Sequence, residues 1–253
     1  MTDLLKSHKL SGVCYDIRGP VLDHANWLED QGQSIIKLNI GNPGAFGFDA
    51  PDEIFQDVIQ NLREAQGYCH SKGLFSARKA VMQRYQAQGI EGIQVEDVIM
   101  GNGVSELIVM AMQALLNPND EILIPSPDYP LWTAAVSMGG GTPIHYRCNE
   151  ADHWQPDIAD IEAKITANTR GIVIINPNNP TGSLMDTRML HDIANIAREV
   201  GAWVLCDEVY RGTGQLGDGM SVSMADIYEK GISTASTSKA FSLAGLRLGW
   251  IAG

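Results

Sequence analysis

The chain has 253 residues, of which 44% are hydrophobic, 7% aromatic and 19% charged, as is typical of a folded globular protein rather than a disordered one. Its formal net charge is −12, which argues against a general nucleic-acid-binding protein, because such proteins need a basic surface. The four cysteines form no CxxC pair, so we expect no zinc ribbon, redox dithiol or metal site. The first residues, MTDLLKSHKLSGV, contain no apolar signal core, and a cytoplasmic location is therefore expected.

Short apolar runs alternate with helical patterns along the chain. The runs IVII (172–175) and WVLC (203–206) are continuous, as expected for strands that are buried on both faces of a parallel sheet. The alternation of strand and helix predicts right-handed βαβ units and an open α/β sheet. The predicted strands are 34–38, 97–100, 121–124, 143–147, 171–175, 202–206, 231–236 and 247–252. One predicted helix begins at Pro51. The other predicted helices cover 74–88, 104–116, 129–138, 157–165 and 186–200.

Two other parts of the chain carry no sheet pattern. The first 30 residues are expected to form an arm that packs elsewhere, and the glycine-rich stretch 211–220 is expected to be a surface loop. The chain stops on RLGWIAG, which is itself a predicted strand. Because a terminal strand usually has further chain to cover it, we expect the sequence to be truncated.

The segment STASTSKAFSLAGLRLGW places Lys239 eight residues before Arg247, with Ser236 and Ser238 just ahead of the lysine. A desolvated lysine amine is a nucleophile, and a guanidinium binds phosphate through a planar fork of donors. The pattern therefore suggests a Schiff-base lysine beside an anion site. The alternative is a solvated lysine and a structural arginine, and this motif alone favours that alternative.

Asp207 directly follows the predicted strand WVLC, at the edge where open α/β sheets bind ligands. A carboxylate there can keep a pyridine nitrogen protonated, which makes the ring an electron sink. The hydroxyl of Tyr210, three residues on, can reach the same site. The alternative is an N-cap aspartate with a half-buried tyrosine.

Two further strand ends carry side chains suited to binding. NPNNPTG (176–182) is a stiff turn in which the side-chain amide of Asn179 can act as a donor. PSPDYP (125–130) contains Tyr129, whose ring can stack on a flat ligand. An ordinary polar turn and a packed aromatic side chain are the alternatives.

The segment GNGVSEL (101–107) suggests an anion site made of backbone groups. Gly101 and Gly103 permit a tight turn, and Val104 and Ser105 offer N–H groups at a helix N-terminus. The segment does not match GxGxxG, so the fingerprint of nicotinamide dinucleotides is not met. A glycine-permitted turn without a ligand is the alternative.

Five strand ends thus each carry a group suited to one flat, phosphorylated pyridine. Their order, and the strings NPNNPTG, CDEVY and SKAFSLAGLRLGW, resemble the class I/II aminotransferases of pyridoxal-phosphate (PLP) fold type I, over essentially the whole chain. The resemblance implies an α/β large domain with a mostly parallel seven-stranded sheet and helices on both faces. It further implies an N-terminal arm and small-domain segment (1–45), a PLP-binding large domain (46–253) and a missing C-terminal domain that carries the arginine for the substrate carboxylate.

The resemblance also implies a role for each candidate residue. Lys239 would form the Schiff base and move the proton between Cα and C4′, and Asp207 would pair with the pyridine N–H. Tyr129 would stack on the ring, while Tyr210 and Asn179 would hydrogen-bond its oxygen. The phosphate would be held by Gly103, Val104, Ser105, Ser236, Ser238 and Arg247.

Two more residues match family positions. Tyr68, in GYCHSKGL, matches the tyrosine that a partner subunit lends to the cofactor phosphate, so a homodimer is expected. Gly41, in LNIGNP, matches a glycine near the substrate carboxylate, and Asn179 would also contact substrate. The stretches CYDIRGP, LNIGNPGAFGFDAPDEI and AQGYCHSKGLFSARKA resemble the bacterial alanine (glutamate–pyruvate) aminotransferases, so alanine and 2-oxoglutarate are the expected substrates.

Other functions remain open on this fold. A β-eliminating C–S lyase would keep the cofactor but release pyruvate and a thiol. A PLP-sensing regulatory domain would need an attached DNA-binding domain, and the first 30 residues have neither the length of a helix-turn-helix nor a basic patch. An inactive remnant or a partial sequence is the third alternative.

Overall fold

A computed structural model describes residues 5–13, 19–37, 40–213 and 222–253. The strands are β1 (Val98–Asn102), β2 (Glu121–Ser126), β3 (Thr142–Asn149), β4 (Gln155–Pro156), β5 (Thr169–Ile175), β6 (Trp203–Asp207), β7 (Gly231–Ser236) and β8 (Leu248–Ala252). The helices are α1 (Gly19–Asp30), α2 (Asp52–Asn61), α3 (Phe75–Ala87), α4 (Val104–Leu115), α5 (Leu131–Gly139), α6 (Ile158–Lys164), α7 (Thr187–Val200) and α8 (Met224–Ile227).

All eight strands form one sheet in the order β1-β8-β7-β6-β5-β2-β3-β4. Strands β3, β2, β5, β6 and β7 run parallel, whereas β8 is antiparallel to both of its neighbours, β7 and β1. The carboxyl ends of the parallel strands and of β1 therefore share one edge of the sheet with the amino end of β8. This edge brings distant parts of the chain together.

The central strands are buried on both faces, as the continuous apolar runs predict. On β5, Ile172 and Ile174 pack with the helices α6 and α7, whereas Val173 and Ile175 pack with α4 and α5 on the opposite face. All four side chains are at most 1% exposed. The α/β fold with helices on both faces of a mostly parallel sheet is thus confirmed.

Three predictions about elements are wrong or incomplete. Residues 34–37 form no strand, because no described strand pairs with this segment, and the side chain of Ile36 is exposed; residue 38 lies outside the described residues. The sheet has eight strands rather than seven because the two-residue β4 pairs with the edge strand β3. The expected N-terminal arm contains a helix, α1, that was not predicted from the sequence, and none of its residues is buried.

Two further expectations concern the loop after β6 and the division of the chain into domains. The predicted loop 211–220 is described only as far as residue 213. The domain boundary between residues 45 and 46 stays a prediction. Among the described helices, none is both long and apolar enough to cross a membrane.

Candidate functional site

The predicted site residues Gly41, Tyr210 and Lys239 meet at the shared edge of the sheet. The Nζ atom of Lys239 donates a hydrogen bond to the carbonyl oxygen of Gly41 at 2.7 Å. The same atom lies 5.8 Å from the centroid of the Tyr210 ring. A Cβ atom on Gly41 would lie 3.3 Å from Lys239 Nζ and 3.5 Å from the Tyr210 hydroxyl, so glycine leaves room for both groups.

Burial changes the ionisation of this pair. It lowers the pKa of Lys239, since the charged ammonium loses part of its hydration. Burial also raises the pKa of Tyr210, and the nearby Asp207 carboxylate adds to that effect. Lys239 is therefore biased toward the free amine, the form that attacks carbonyl groups, while Tyr210 keeps its proton and can act as a donor.

Asp207 ends β6 and is buried, with 6% of its surface exposed. Its Oδ2 atom accepts a hydrogen bond from the indole Nε1 of Trp132 at 3.2 Å, and its Oδ1 atom accepts one from the backbone N–H of Val209 at 3.2 Å. Burial raises the pKa of Asp207 to about 6, and the two donors oppose that rise. The result is a carboxylate that two donors hold in place and that a positive charge placed beside it would stabilise.

Arg247 and the N-terminus of α4 form an open cradle. Gly103, the N-cap of α4, has a φ of 77°, and a Cβ atom there would lie 2.5 Å from Arg247 Nη2. On β8, a Cβ atom at Gly249 would lie 2.7 Å from the backbone nitrogen of Val104. The missing side chain at Gly103 lets the guanidinium approach the N-terminus of α4, and a guanidinium beside helix N–H groups is a combination that binds anions.

The remaining predicted residues lie at or just after the ends of β1, β2, β5 and β7. Ser236 is buried at the end of β7, and its Oγ accepts a hydrogen bond from the backbone N–H of Ser238 at 3.2 Å. Ser105 lies in the first turn of α4, and Tyr129 and Asn179 are half-buried in the loops after β2 and β5.

Tyr68 is separate from the other predicted residues. Its side chain is fully exposed, at 109% of the reference surface, in the loop before α3. Within one chain it therefore contributes nothing to the centre around Lys239.

Two residues of this region were not predicted from the sequence. Trp132 is fully buried and contacts Asp207, but in the sequence it is one apolar residue in an apolar helix. Glu208 is buried and accepts hydrogen bonds from Ser233 Oγ at 2.6 Å, Ser223 Oγ at 2.9 Å and the backbone N–H of Met224 at 2.9 Å. In the sequence, only its position next to Asp207 in CDEVY could have indicated that Glu208 belongs to this region.

The fold and the groups at this edge are those of the aminotransferase family. The model of the family described as aminotransferase class I and II matches residues 33–253, and the chain therefore belongs to that family. Its structure is similar to that of an aminotransferase from Escherichia coli, with a TM-score of 0.92 and 55% sequence identity, over 99% of this chain and 62% of that chain.

Individual relatives give a finer comparison. The chain is 56% identical over 253 residues to the glutamate-pyruvate aminotransferase AlaA of Escherichia coli (strain K12), across 99% of this chain and 62% of the relative. It is 51% identical over 250 residues to an alanine aminotransferase of Mycobacterium tuberculosis (strain ATCC 25618 / H37Rv), across 98% of this chain and 58% of the relative. The chain thus spans about three fifths of the length of these curated relatives.

Membership of this family implies the use of PLP, and the described residues fit that cofactor. At Gly103 the missing side chain lets the Arg247 guanidinium lie against the N-terminus of α4, and these donors suit a phosphate. The amine of Lys239 and the carboxylate of Asp207 suit an aldehyde and a ring nitrogen respectively.

Proposed function

We propose that this chain binds PLP at the edge described above and serves in transamination between an amino acid and a 2-oxo acid. The observation that carries the proposal is the meeting of Lys239 with Gly41 and Tyr210, through the 2.7 Å hydrogen bond and the 5.8 Å ring contact. These residues are far apart in sequence, and each suits one part of the same reaction. The proposed PLP-binding large domain is 46–253, preceded by an N-terminal arm and small-domain segment, 1–45.

Each remaining candidate has a place in this proposal. Asp207 would pair with the ring nitrogen, Tyr129 would stack on the ring, and Tyr210 and Asn179 would hydrogen-bond the ring oxygen. The phosphate would be held by Gly103, Val104, Ser105, Ser236, Ser238 and Arg247.

The chemistry then divides between cofactor and protein. When bound, PLP supplies an aldehyde that takes up the amino group and a protonated ring that withdraws electrons from Cα. The lowered pKa of Lys239 lets its amine accept the proton of the substrate Cα and return it. Asp207 would hold the proton on the ring nitrogen, because a buried carboxylate is stabilised by a positive charge beside it.

We infer that the substrates are alanine and 2-oxoglutarate. The support is the likeness to proteins named glutamate-pyruvate aminotransferase and alanine aminotransferase. Asn179 would contact the substrate as well. The cytoplasmic location stays a prediction.

We also infer a homodimer in which Tyr68 reaches the phosphate of the partner's cofactor. Its support is a run of large apolar side chains that stay exposed in one chain, a pattern typical of protein interfaces. These exposed side chains are Phe55, Ile59, Leu62, Tyr68, Leu74 and Phe75. Sedimentation analysis should give a dimer, and Tyr68→Ala should weaken PLP binding without changing the monomer fold; a monomer with full PLP affinity would contradict this inference.

The decisive experiment is an absorption spectrum of the purified chain with added PLP. We expect a visible band that disappears on reduction with borohydride, which fixes the cofactor covalently to the protein. A peptide map should then find the cofactor on Lys239, and Lys239→Ala should lack the band. Lys230→Ala is the matched control, because Lys230 Nζ also donates to a glycine carbonyl, that of Gly201 at 2.9 Å, but on the surface. No band in a chain with native circular dichroism would contradict the proposed cofactor site.

The substrates are tested on the PLP-loaded protein. L-alanine should bleach the band and release pyruvate, and 2-oxoglutarate should restore it with formation of glutamate. A band that no common amino acid changes would refute transamination, whereas pyruvate and a thiol released from cystathionine would favour the C–S lyase.

A further inference from the structure

Trp132 and Asp207 form a hydrogen-bonded pair beneath the candidate site. The indole Nε1 of Trp132 donates to Asp207 Oδ2 at 3.2 Å, and both side chains are buried. Trp132 lies in the first turn of α5, whereas Asp207 ends β6. The pair thus joins a helix on one face of the sheet to the functional edge.

The indole is fixed by its surroundings. Trp132 is packed in the cluster that fills the space between the sheet and α4 and α5, with Val173 and Leu205 among its members. Because close-packed interior side chains sit in defined rotamers, the packing favours the orientation in which the N–H points to Asp207. The other Asp207 oxygen is held by the Val209 backbone, so the plane of the carboxylate is set by donors from two elements.

We propose that Trp132 is a positioning residue for Asp207, which holds the carboxylate ionised and aimed at the ring nitrogen of the cofactor. The inference rests on the proposed function as far as PLP is concerned. A hydrogen bond to a charged acceptor is stronger than one to a neutral acceptor, so the indole stabilises the ionised carboxylate selectively. Without it, burial would leave more of Asp207 protonated at neutral pH, and a protonated carboxyl cannot hold a positive charge beside it.

Few other groups compete for control of this carboxylate. The titratable neighbours are Cys206 and Glu208 on the same strand end and Tyr210 in the next turn. Across the sheet, Asp207 pairs with Ile175 on one side and Thr234 on the other, neither of which titrates in this range. Glu208 raises the pKa of Asp207, so it opposes the indole.

The test measures the ionisation of Asp207 directly in the cofactor-free chain. Carbon-13 NMR of the labelled Asp207 carboxyl carbon gives its titration midpoint in wild type and in Trp132→Phe, which keeps a ring but loses the donor. We expect the midpoint to rise by about one pH unit or more, the size of one charge-assisted hydrogen bond. Trp250→Phe is the matched control, because Trp250 is also buried but packs in a separate cluster with Val81 and Tyr85.

A second variant protects the test against misfolding. Replacing Trp132 by benzothienylalanine keeps the size and shape of the indole and removes only the N–H. The affinity for PLP should fall at least threefold in both variants, and nitrogen-15 NMR of labelled PLP should show less protonated ring nitrogen. An unchanged Asp207 midpoint, or a raised midpoint with unchanged PLP affinity and ring protonation, would overturn the proposal. Failure of wild type to bind PLP would count against the proposed function, and the cofactor-free titration would still decide whether Trp132 sets the ionisation of Asp207.

Discussion

The guanidinium of Arg247 packs directly against the backbone of Gly103, so that a Cβ atom at Gly103 would lie 2.5 Å from Arg247 Nη2. The φ of 77° at this N-cap position adds a second reason for glycine. Gly103 thus permits both the tight turn after β1 and the close approach of Arg247 to the N-terminus of α4. The anion site depends on both conditions at once.

Gly103→Ala should therefore damage the site and the fold together. We expect a loss of about 1–3 kcal/mol in the free energy of unfolding and at least a tenfold loss of PLP affinity, since the methyl group displaces the guanidinium. Urea unfolding and PLP titration measure the two effects. Gly140→Ala is the control, because Gly140 has a φ of 91° but an added Cβ meets nothing within 4 Å. Equal PLP affinity in the two variants would contradict the cradle.

Asp207 predicts a dependence of stability on pH in the cofactor-free chain. Its native pKa of about 6 lies above the ordinary value of 3.8, so the native state binds this proton more tightly than the unfolded state. Stability should consequently fall as pH rises from about 4 to 7, by up to about 3 kcal/mol relative to Asp207→Asn. Urea unfolding of both proteins across this range is the measurement; a constant difference between them would show that the pKa of Asp207 is not raised.

Glu208 predicts a large structural penalty next to the site. Its buried carboxylate accepts hydrogen bonds from two serine hydroxyls and from the backbone N–H of Met224. Glu208→Ala should lower the free energy of unfolding by about 3 kcal/mol or more, because buried donors lose their acceptor. Glu208→Gln keeps one amide oxygen and should lose less in thermal or urea unfolding. Equal losses in the two variants would contradict a contribution from the acceptor oxygen that glutamine retains.

Gly41 predicts a graded steric effect on Lys239. A Cβ atom there would lie 3.3 Å from Nζ, so Gly41→Ala should be tolerated by a small movement of the flexible lysine, whereas Gly41→Val should slow borohydride-trapped labelling of Lys239 about tenfold or more. Gly44→Val is the control in the same segment, because an added Cβ at Gly44 meets nothing within 4 Å. Identical labelling rates in the two valine variants would contradict close contact at Gly41.

The strand pattern was predictable because it follows from local chemistry. The run IVII gave a strand buried on both faces, and the structure places Ile172 and Ile174 on one face and Val173 and Ile175 on the other. The same logic failed at 34–37, where the apolar residues look like a strand but Ile36 is exposed, because pairing also needs a neighbouring strand with a free edge.

For the candidate site, too, some features follow from short segments of sequence and others only from the tertiary structure. The sequence by itself determined the order of strands and helices and the chemical groups at the strand ends, Lys239, Asp207 and Arg247 among them, because periodicity and turn residues are properties of short segments. Only the tertiary structure decided that Lys239 meets Gly41, that Arg247 meets Gly103 and that Trp132 meets Asp207. Those contacts join distant segments, and they depend on the strand order and on which helix covers which face of the sheet, neither of which any short segment encodes.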